Sequence, residues 1–408
     1  MDSFRVLRIT ARTDAPGGVE QYIREVNSML GNAGVVTHTL EITSSSTEFN
    51  YGKESTVISV ENSRIKRFVN DSIPNESLLN HIMEVKKKFN PDIIHLHRFR
   101  IGYSSISKFI KNTDIPVIFT AHDADLICPL STLVIPDGRI CEGGIKPRCA
   151  FTGCKVEVNL PYEIIRYNEF MKRLSKRINL FVAPSHALTR YLKSFGIENA
   201  MVLRSFIRFP DKISGPGKEG VFGYIGRIVP EKGLKQLILA CELLKKRERS
   251  FKLLIAGTGK YSAFVKNLIS QNHLDSNIQM LGQISGNEKE QFYSDIQFSV
   301  IPTVMFDNIP LSAGESMVRE RPVIASDIGG VSELVQDHDN GILVRPYDVN
   351  DLAEAIEYMI DHPPERIKMG RHGNKDAREI LNPDSHLKNL LKIYDDLLSG
   401  KNAWEMKQ

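Results

Sequence analysis

The sequence predicts an α/β protein made of two doubly wound, Rossmann-like domains. Three observations carry this reading. Short β-rich apolar runs alternate with helical patterns along nearly all of the 408 residues, which is the signature of parallel strands joined by crossover helices. The length exceeds what a single hydrophobic core usually serves. A stretch rich in Gly, Pro and Lys without periodicity, 208–220 (RFPDKISGPGKEG), divides the alternation into two similar series.

In the first series, strands are predicted at 5–10, 37–41, 93–96, 116–120 and 179–183, with helices at 18–31, 77–89, 104–111 and 162–177. The second series gives strands at 221–225, 252–256, 278–281, 297–301 and 323–325. Its helices fall at 234–248, 261–271, 289–294, 311–319, 331–335 and 349–361. A last helix, 385–398, follows Asn382-Pro383 and can pack on either series. The predicted division is therefore 1–208, a linker at 209–220, a second domain at 221–384, and a helix and tail at 385–408. In such sheets ligands sit outside the carboxyl ends of the strands.

Composition excludes several classes. A chain that is 41% hydrophobic, 25% charged and 8% aromatic is neither disordered nor fibrous. Fifty-three Lys and Arg against 49 Asp and Glu give a net charge of +4, too small for a dedicated nucleic-acid binder. The charge is uneven, with 28 basic and 21 acidic side chains in residues 1–208 and 25 against 28 in the remainder. No apolar run reaches the roughly 18 residues of a membrane span, and the start MDSFRVLRIT lacks the apolar core of a signal peptide, so a cytoplasmic protein is expected.

Three places carry chemistry. Gly17-Gly18 follows the first strand and opens a helix; such a pair lets a ligand approach the backbone and its amides, although an isolated pair more often just supplies a turn. In GYIGRIVPEKGLKQL, Arg227 and Lys232 lie five positions apart in the loop after a strand, just before a helix. Two cations there suit a diphosphate and can do the work of Mg²⁺ by neutralising a leaving phosphate; the plainer reading is two solvated cations. In VMFDNIPLSAGESMVRERPVIAS, Asp307 precedes a helix that Pro310 is placed to start and Glu315 lies just over one turn inside it. Both carboxylates can face one ligand there. Glu315 has the chemistry to accept vicinal ribose hydroxyls, and the amides of Asn308, Ile309, Pro310's neighbour Leu311 and Ser312 to hold phosphate.

Together the GGVE loop, the GRIVPEKG loop and the D-x7-E segment running into GESMVRERPVIASDIGGVSELV resemble the retaining glycosyltransferases of family four, with GT-B architecture. The resemblance is strongest over 223–346. It implies a nucleoside-diphosphate sugar donor bound by the C-terminal domain, a saccharide or lipid-linked saccharide acceptor bound by the N-terminal one, and transfer that keeps the anomeric configuration without a catalytic metal. Position by position, Arg227 and Lys232 match the diphosphate cations and Glu315 the ribose-binding Glu of E-x7-E. Asp307 matches that motif's first Glu, on the transferred sugar, and is one methylene shorter. Gly17 and Gly18 match the glycine loop, Asn308 to Leu311 the phosphate-binding turn, and His122 in FTAHDADLICP the His beside the donor sugar. The family's usual role, building surface polysaccharide, is the expected one here.

Two features stand apart. Cys128, Cys141, Cys149 and Cys154 fall within 27 residues; four close thiols suit tetrahedral structural Zn²⁺, or remain unliganded thiols in a reducing compartment. In 162–177 and just after, Ile164, Tyr167, Met171, Leu174 and Ile178 form an apolar stripe with Arg166, Lys172, Arg173, Lys176 and Arg177 elsewhere, a helix expected to pack on the sheet and make weak peripheral contact with a membrane. Two other functions have less support in the sequence. A dinucleotide-dependent oxidoreductase has only IAGTGKYS in its favour, which lacks the third Gly of G-x-G-x-x-G; a non-catalytic two-lobed sugar-binding protein would normally carry an export signal.

Overall fold

A computed structural model describes residues 4–12, 17–44, 49–52, 54–60, 73–99, 101–128, 130–135, 141, 149 and 174–401. The chain forms two compact units. One comprises 1–131, 143–203 and 384–408; the other 132–142 and 204–383.

The first unit holds a seven-stranded sheet in the order β3-β2-β1-β4-β5-β6-β7, every pair parallel. Its strands are β1 (Arg5–Arg12), β2 (Val36–Thr43), β3 (Ser55–Ser59), β4 (Ile93–Phe99), β5 (Val117–Thr120), β6 (Leu180–Ala183) and β7 (Ala200–Val202). β1 is buried from Val6 to Arg12, as a central strand covered on both faces must be. Helices α1 (Gly18–Asn32), α2 (Glu76–Phe89), α3 (Tyr103–Lys111) and α4 (His186–Ser194) belong to this unit. α2 shows why such segments are helical: Asn75 caps it by accepting the Leu78 amide, Lys86, Lys87 and Lys88 meet the negative end of its dipole, and Asn90 ends it at φ 47°.

The second unit holds a six-stranded sheet, β10-β9-β8-β11-β12-β13, again all parallel. Its strands are β8 (Val221–Ile225), β9 (Lys252–Ala256), β10 (Ile278–Gly282), β11 (Ser299–Ile301), β12 (Val323–Ser326) and β13 (Gly341–Val344). The helices are α5 (Leu234–Lys246), α6 (Ser262–Gln271), α7 (Gly286–Asp295), α8 (Leu311–Met317), α9 (Val349–Asp361) and α10 (Pro363–Ile380). Phe222 and Phe298 stack with ring centres 5.2 Å apart in a core with Leu237, Ile238, Ile255 and Ile356, each worth about 1.5–3 kcal/mol of burial. The strand order reverses at β1/β4 in one sheet and at β8/β11 in the other, the crevices where doubly wound folds take ligands.

The structure adds elements the pattern did not announce. β3 is a half-exposed edge strand and β7 has three residues, both too short or too polar for a clear period. α10 has a strongly polar composition and two internal glycines, so its apolar stripe is thin. The helix expected at 331–335 is one 3-10 turn, Val331–Glu333. Of the helix expected at 162–177, residues 162–173 lie outside the described residues, and Ser175–Arg177 is a 3-10 turn.

Helix α11 (Pro383–Leu398) belongs to the first unit from Asp384 onward. Its buried stripe is His386, Leu390, Ile393, Tyr394 and Leu397. The Tyr394 hydroxyl lies 3.0 Å from Arg8 Nη2 and 2.7 Å from His95 Nδ1, while the His386 Nε2 and Tyr22 hydroxyl are 3.1 Å apart. Tyr394→Phe should therefore lower the stability of this unit by about 2–3 kcal/mol, because it strips a buried guanidinium of one acceptor. Denaturant unfolding with one probe in each unit would read this, and an unchanged midpoint for the first unit would show the hydroxyl to be dispensable.

Candidate active site

In the second unit the loops after β8 and β11 interlock. Pro230–Lys232 forms a 3-10 turn that ends at Gly233, φ +72°. A Cβ on Gly233 would stand 1.7 Å from the Pro302 carbonyl oxygen, so only glycine admits this approach. The Val304 amide donates to the Glu231 carbonyl at 3.0 Å. This interlock places Lys232 against Asp307, and the two form an ion pair between half-buried side chains. Asp307 also accepts its neighbour Asn308's amide at 3.1 Å. The Tyr224 hydroxyl donates to the Arg227 carbonyl at 2.8 Å and fixes that backbone, while the Arg227 side chain is exposed.

Helix α8 starts at Leu311, as the predicted range has it, but ends at Met317 rather than 319, and Pro310 is its cap residue rather than its first helical position. Glu315 on α8 does not share a partner with Asp307. Its Oε1 accepts from Lys289 Nζ at 2.6 Å and its Oε2 from the Tyr293 hydroxyl at 3.3 Å. Arg319 grips Glu290 with both Nε, at 3.0 Å, and Nη2, at 2.6 Å, and lies over the Tyr293 ring, 4.6 Å from its centre. Burial pushes the Tyr293 phenol well above its usual pKa, with Glu315 adding to the effect. Lys289, Glu290 and Tyr293, all on α7, were missed from sequence. The sequence shows only that 289 and 293, four apart, share one helical face, not that this face meets Glu315.

In the first unit, Gly17 and Gly18 follow β1, and His122 follows β5. The Gly17 amide donates to Glu20 Oε2 at 2.7 Å, so the N3 carboxylate caps the cap residue's own amide while glycine has no side chain to return the bond. The turn does not need either glycine. Gly17 has an extended φ of −143°; among the described residues no atom lies within 4 Å of a Cβ placed on Gly18, and the nearest to one on Gly17 is the Glu20 carboxylate at 3.9 Å. The absent side chains leave open space rather than relieving strain, which departs from the ordinary turn reading. His122 is half-buried, 3.0 Å through Nε2 from His97 Nδ1, and edge-on to Tyr22 with ring centres 5.0 Å apart. Burial, reinforced by Arg98, holds its pKa down at about 3, against a weaker upward pull from Asp125. His97 went unnoticed in sequence, although a His-x-His pair in the otherwise apolar run IIHLH is an obvious irregularity.

Comparison with known proteins settles the family. Residues 16–204 match the family described as Glycosyltransferase Family 4 and residues 206–376 that described as Glycosyl transferases group 1. The chain is a family-four glycosyltransferase. Among curated proteins it is 26% identical to the poly(ribitol-phosphate) alpha-N-acetylglucosaminyltransferase of Staphylococcus aureus, over 50% of this chain and 41% of that protein. It is 25% identical to the capsular polysaccharide biosynthesis glycosyltransferase CapM of Staphylococcus aureus, over 60% of this chain and 64% of that one. The chain thus spans less than two thirds of the length of either relative. Among solved structures, HepE of Anabaena, crystallised with UDP and glucose, superposes with a TM-score of 0.70 at 16% identity, covering 96% of this chain and 99% of that one. The fold is accordingly GT-B.

This family-four glycosyltransferase uses its IAGTGKYS segment structurally. A Cβ on Gly257 would meet the Gly226 carbonyl oxygen at 1.9 Å and one on Gly259 the Ile228 carbonyl oxygen at 2.2 Å. The glycines let this loop pack directly on the Arg227 loop, so the oxidoreductase reading loses its only support. Cys141 donates its amide to Leu133 at 2.7 Å and Cys149 is buried. Among the described residues no group of three His, Cys, Asp or Glu stands ready to hold a metal ion, and Cys154 lies outside them. Among the same residues no helix is long and apolar enough to cross a membrane.

The buried imidazoles give a pH prediction. His95 and His97 are held well below the usual range, chiefly by burial, and His122 at about 3. A histidine whose folded pKa is depressed binds its proton more readily unfolded, so the first unit should lose stability as pH falls below about 6.5, by up to ~1.4 kcal/mol per pH unit for each ring. Unfolding followed from pH 8 to pH 4.5 would test it, and a flat profile would show that the rings charge in place. A second expectation concerns Gly18. Gly18→Val should fold with its melting temperature within about 2 °C, because the space is open, yet raise the KM for donor or acceptor severalfold; normal kinetics would remove the glycine loop from the site.

Proposed function

We propose that the protein moves a sugar from a nucleoside-diphosphate sugar to a saccharide or lipid-linked saccharide acceptor, with retention of anomeric configuration, in the assembly of a surface polysaccharide. One observation carries the donor assignment. At the β8/β11 switch point the loop after β8 carries an exposed Arg227 and, five positions on, an ammonium, Lys232, that reaches Asp307 in the loop before α8, an arrangement suited to a diphosphate. HepE's UDP and glucose support a nucleoside-diphosphate sugar, and CapM's role supports a polysaccharide product. Retention is supported by the family-four resemblance.

The roles follow from chemistry. Arg227 presents a planar fork that can take two phosphate oxygens, and Lys232 exchanges Asp307 for a third. Glu315, held by Lys289 and Tyr293, accepts the ribose hydroxyls. Asp307 and His122 border the transferred sugar, Gly17 and Gly18 leave room beneath the phosphates, and the amides of Ile309 and Leu311, with that of Asn308 once it leaves Asp307, serve phosphate oxygen. In the step itself the acceptor oxygen bonds to the anomeric carbon as the bond to the phosphate oxygen breaks, and the hydroxyl proton passes to that leaving oxygen. Arg227 and Lys232 neutralise the charge that grows there. The N-terminal domain takes the acceptor, and the basic excess of residues 1–208 suits a lipid-linked one at an anionic membrane face.

Two measurements test this. Glu315→Ala should weaken binding of the free nucleotide by about 2–3 kcal/mol in calorimetry, the scale of charge-assisted hydrogen bonds lost; unchanged affinity in a folded variant would take Glu315 out of the site. Transfer measured by nucleotide release should survive EDTA, with Lys232→Ala lowering kcat/KM by about 10²- to 10³-fold. Arg227→Lys should also be impaired, because an ammonium cannot grip two oxygens. Turnover that demands Mg²⁺ or Mn²⁺ while Lys232→Ala stays near normal would overturn the cationic mechanism.

A further inference from the structure

Arg8 lies in the middle of β1 with no exposed surface. No carboxylate pairs with it among the described residues. A guanidinium only donates, so each atom it meets must accept. Arg8 Nη1 stands 2.7 Å from His97 Nε2 and Nη2 stands 3.0 Å from the Tyr394 hydroxyl.

We propose that Arg8, acting through His97, fixes the tautomer of His122, so that His122 stands in the site as a neutral ring with its proton on Nδ1. Arg8 and His97 are positioning residues. The polarity follows link by link. His97 Nε2 accepts from Arg8 and is bare, so the proton of the neutral ring sits on Nδ1. That atom is 3.0 Å from His122 Nε2, which must accept in turn, leaving the His122 proton on Nδ1. Protonating His97 would turn Nε2–H against the Arg8 N–H, two donors face to face.

The other arm runs the opposite way. The Tyr394 hydroxyl accepts from Arg8 and gives its own hydrogen to His95 Nδ1 at 2.7 Å. His95 then carries its proton on Nε2, 2.7 Å from Thr120 Oγ1. His95 sits opposite Arg8 in the β1/β4 ladder, and its ring stacks on His97 with centres 4.2 Å apart. Two stacked histidines on one strand therefore hold opposite tautomers, each set by its own arm of the Arg8 network.

Geometry and charge hold His122 in that state. Its ring lies roughly parallel to His97, centres 5.3 Å apart, and Tyr22 blocks the edge. The charged and titratable groups facing it are Arg8, Arg98 and His386, which oppose its protonation, and Asp125, which favours it. Burial is the largest effect. His122 therefore offers a donor of fixed direction and no charge. The consequence for catalysis rests on the reading of His122 as a donor-sugar residue; the tautomer does not.

The test uses the full chain with ¹⁵N-labelled histidine and no ligand. Long-range ¹H–¹⁵N spectra between pH 5.5 and 8.5, assigned with single His→Gln variants, should show His97 and His122 protonated on Nδ1, His95 on Nε2, and none titrating. Arg8→Met should release His122 to a mixture or to Nε2–H and lower kcat at least fivefold with donor KM within about twofold; Arg8→Lys, still a donor to His97, should keep both. Should Arg8→Met fail to fold, His97→Asn, whose amide donates from the Nδ1 position, should keep His122 on Nδ1, whereas His97→Gln should release it. A wild-type His122 protonated on Nε2, or a spectrum unchanged in both Arg8→Met and His97→Gln, overturns the proposal. A released tautomer with unchanged kcat overturns the positioning role. If His122→Ala transfers sugar normally, the placement of His122 beside the donor falls while the tautomer result stands.

Discussion

The first unit is organised around a buried charge, Arg8, that meets no carboxylate among the described residues. Removing a guanidinium from water costs several kcal/mol, and a carboxylate partner would be the usual remedy. Arg8 is met instead by a histidine nitrogen and a phenol oxygen, so its neighbours must be neutral and must present lone pairs. That requirement reaches outward. Tyr394 comes from α11, near the end of the chain, which ties a C-terminal helix to the first strand. Its phenol is pushed up to about 12, chiefly by burial, so it never adds a second charge to the cluster. His95, His97 and His122 are all kept from protonation by the same burial and the same cation.

The second unit answers its charges differently. Each site carboxylate has its own ammonium, Lys232 for Asp307 and Lys289 for Glu315, and all four side chains remain partly exposed. Pairs of this kind contribute only about 1 kcal/mol. A diphosphate brings two negative groups to the same place and can outcompete Asp307 for Lys232 at small cost. Glu315 has a second anchor in Tyr293, whose high pKa keeps it a donor, so this carboxylate stays aimed whatever Lys289 does. On the functional reading above, the labile pair serves the part of the donor that leaves and the doubly held carboxylate serves the part that stays put.

Much of this was legible in the sequence, and the reason is physical. Buried parallel strands show as runs such as VLRIT and KLLIA, and crossover helices show their 3.6 period, so ten of the thirteen described strands appear without coordinates, while β3, β7 and β13, all five residues or fewer, do not. The loops after β8 and β11 were legible because glycine, proline and charge coincide there: Gly233 sits where only glycine clears the Pro302 carbonyl, and Lys232 precedes it. What stayed hidden was pairing across long sequence distances. Nothing near Arg8 announces Tyr394, 386 residues away, and nothing near Glu315 announces Lys289 on the preceding helix. Spacing identifies which residues share a face of one element, not which face meets another element. The Gly17-Gly18 pair was misleading for the opposite reason: glycine is so common in turns that its rarer use, leaving space empty, is visible only once φ and the surrounding atoms are known.

The contrast between the two units also orders the chemistry. On the functional reading above, the leaving diphosphate meets Arg227, whose side chain is exposed, and Lys232, whose pair with Asp307 is only half-buried, on a loop at a switch point. On the same reading, a sugar that develops positive character at its anomeric carbon beside His122 is better served without an imidazolium there, since a cation would oppose the transition state by roughly 4 kcal/mol at 4 Å in a medium of effective dielectric near 20. Holding His122 neutral by burial and by a hydrogen-bond chain rooted in Arg8 meets that need, and it does so while the charge of Arg8 itself stays on β1, with His97 interposed along the chain.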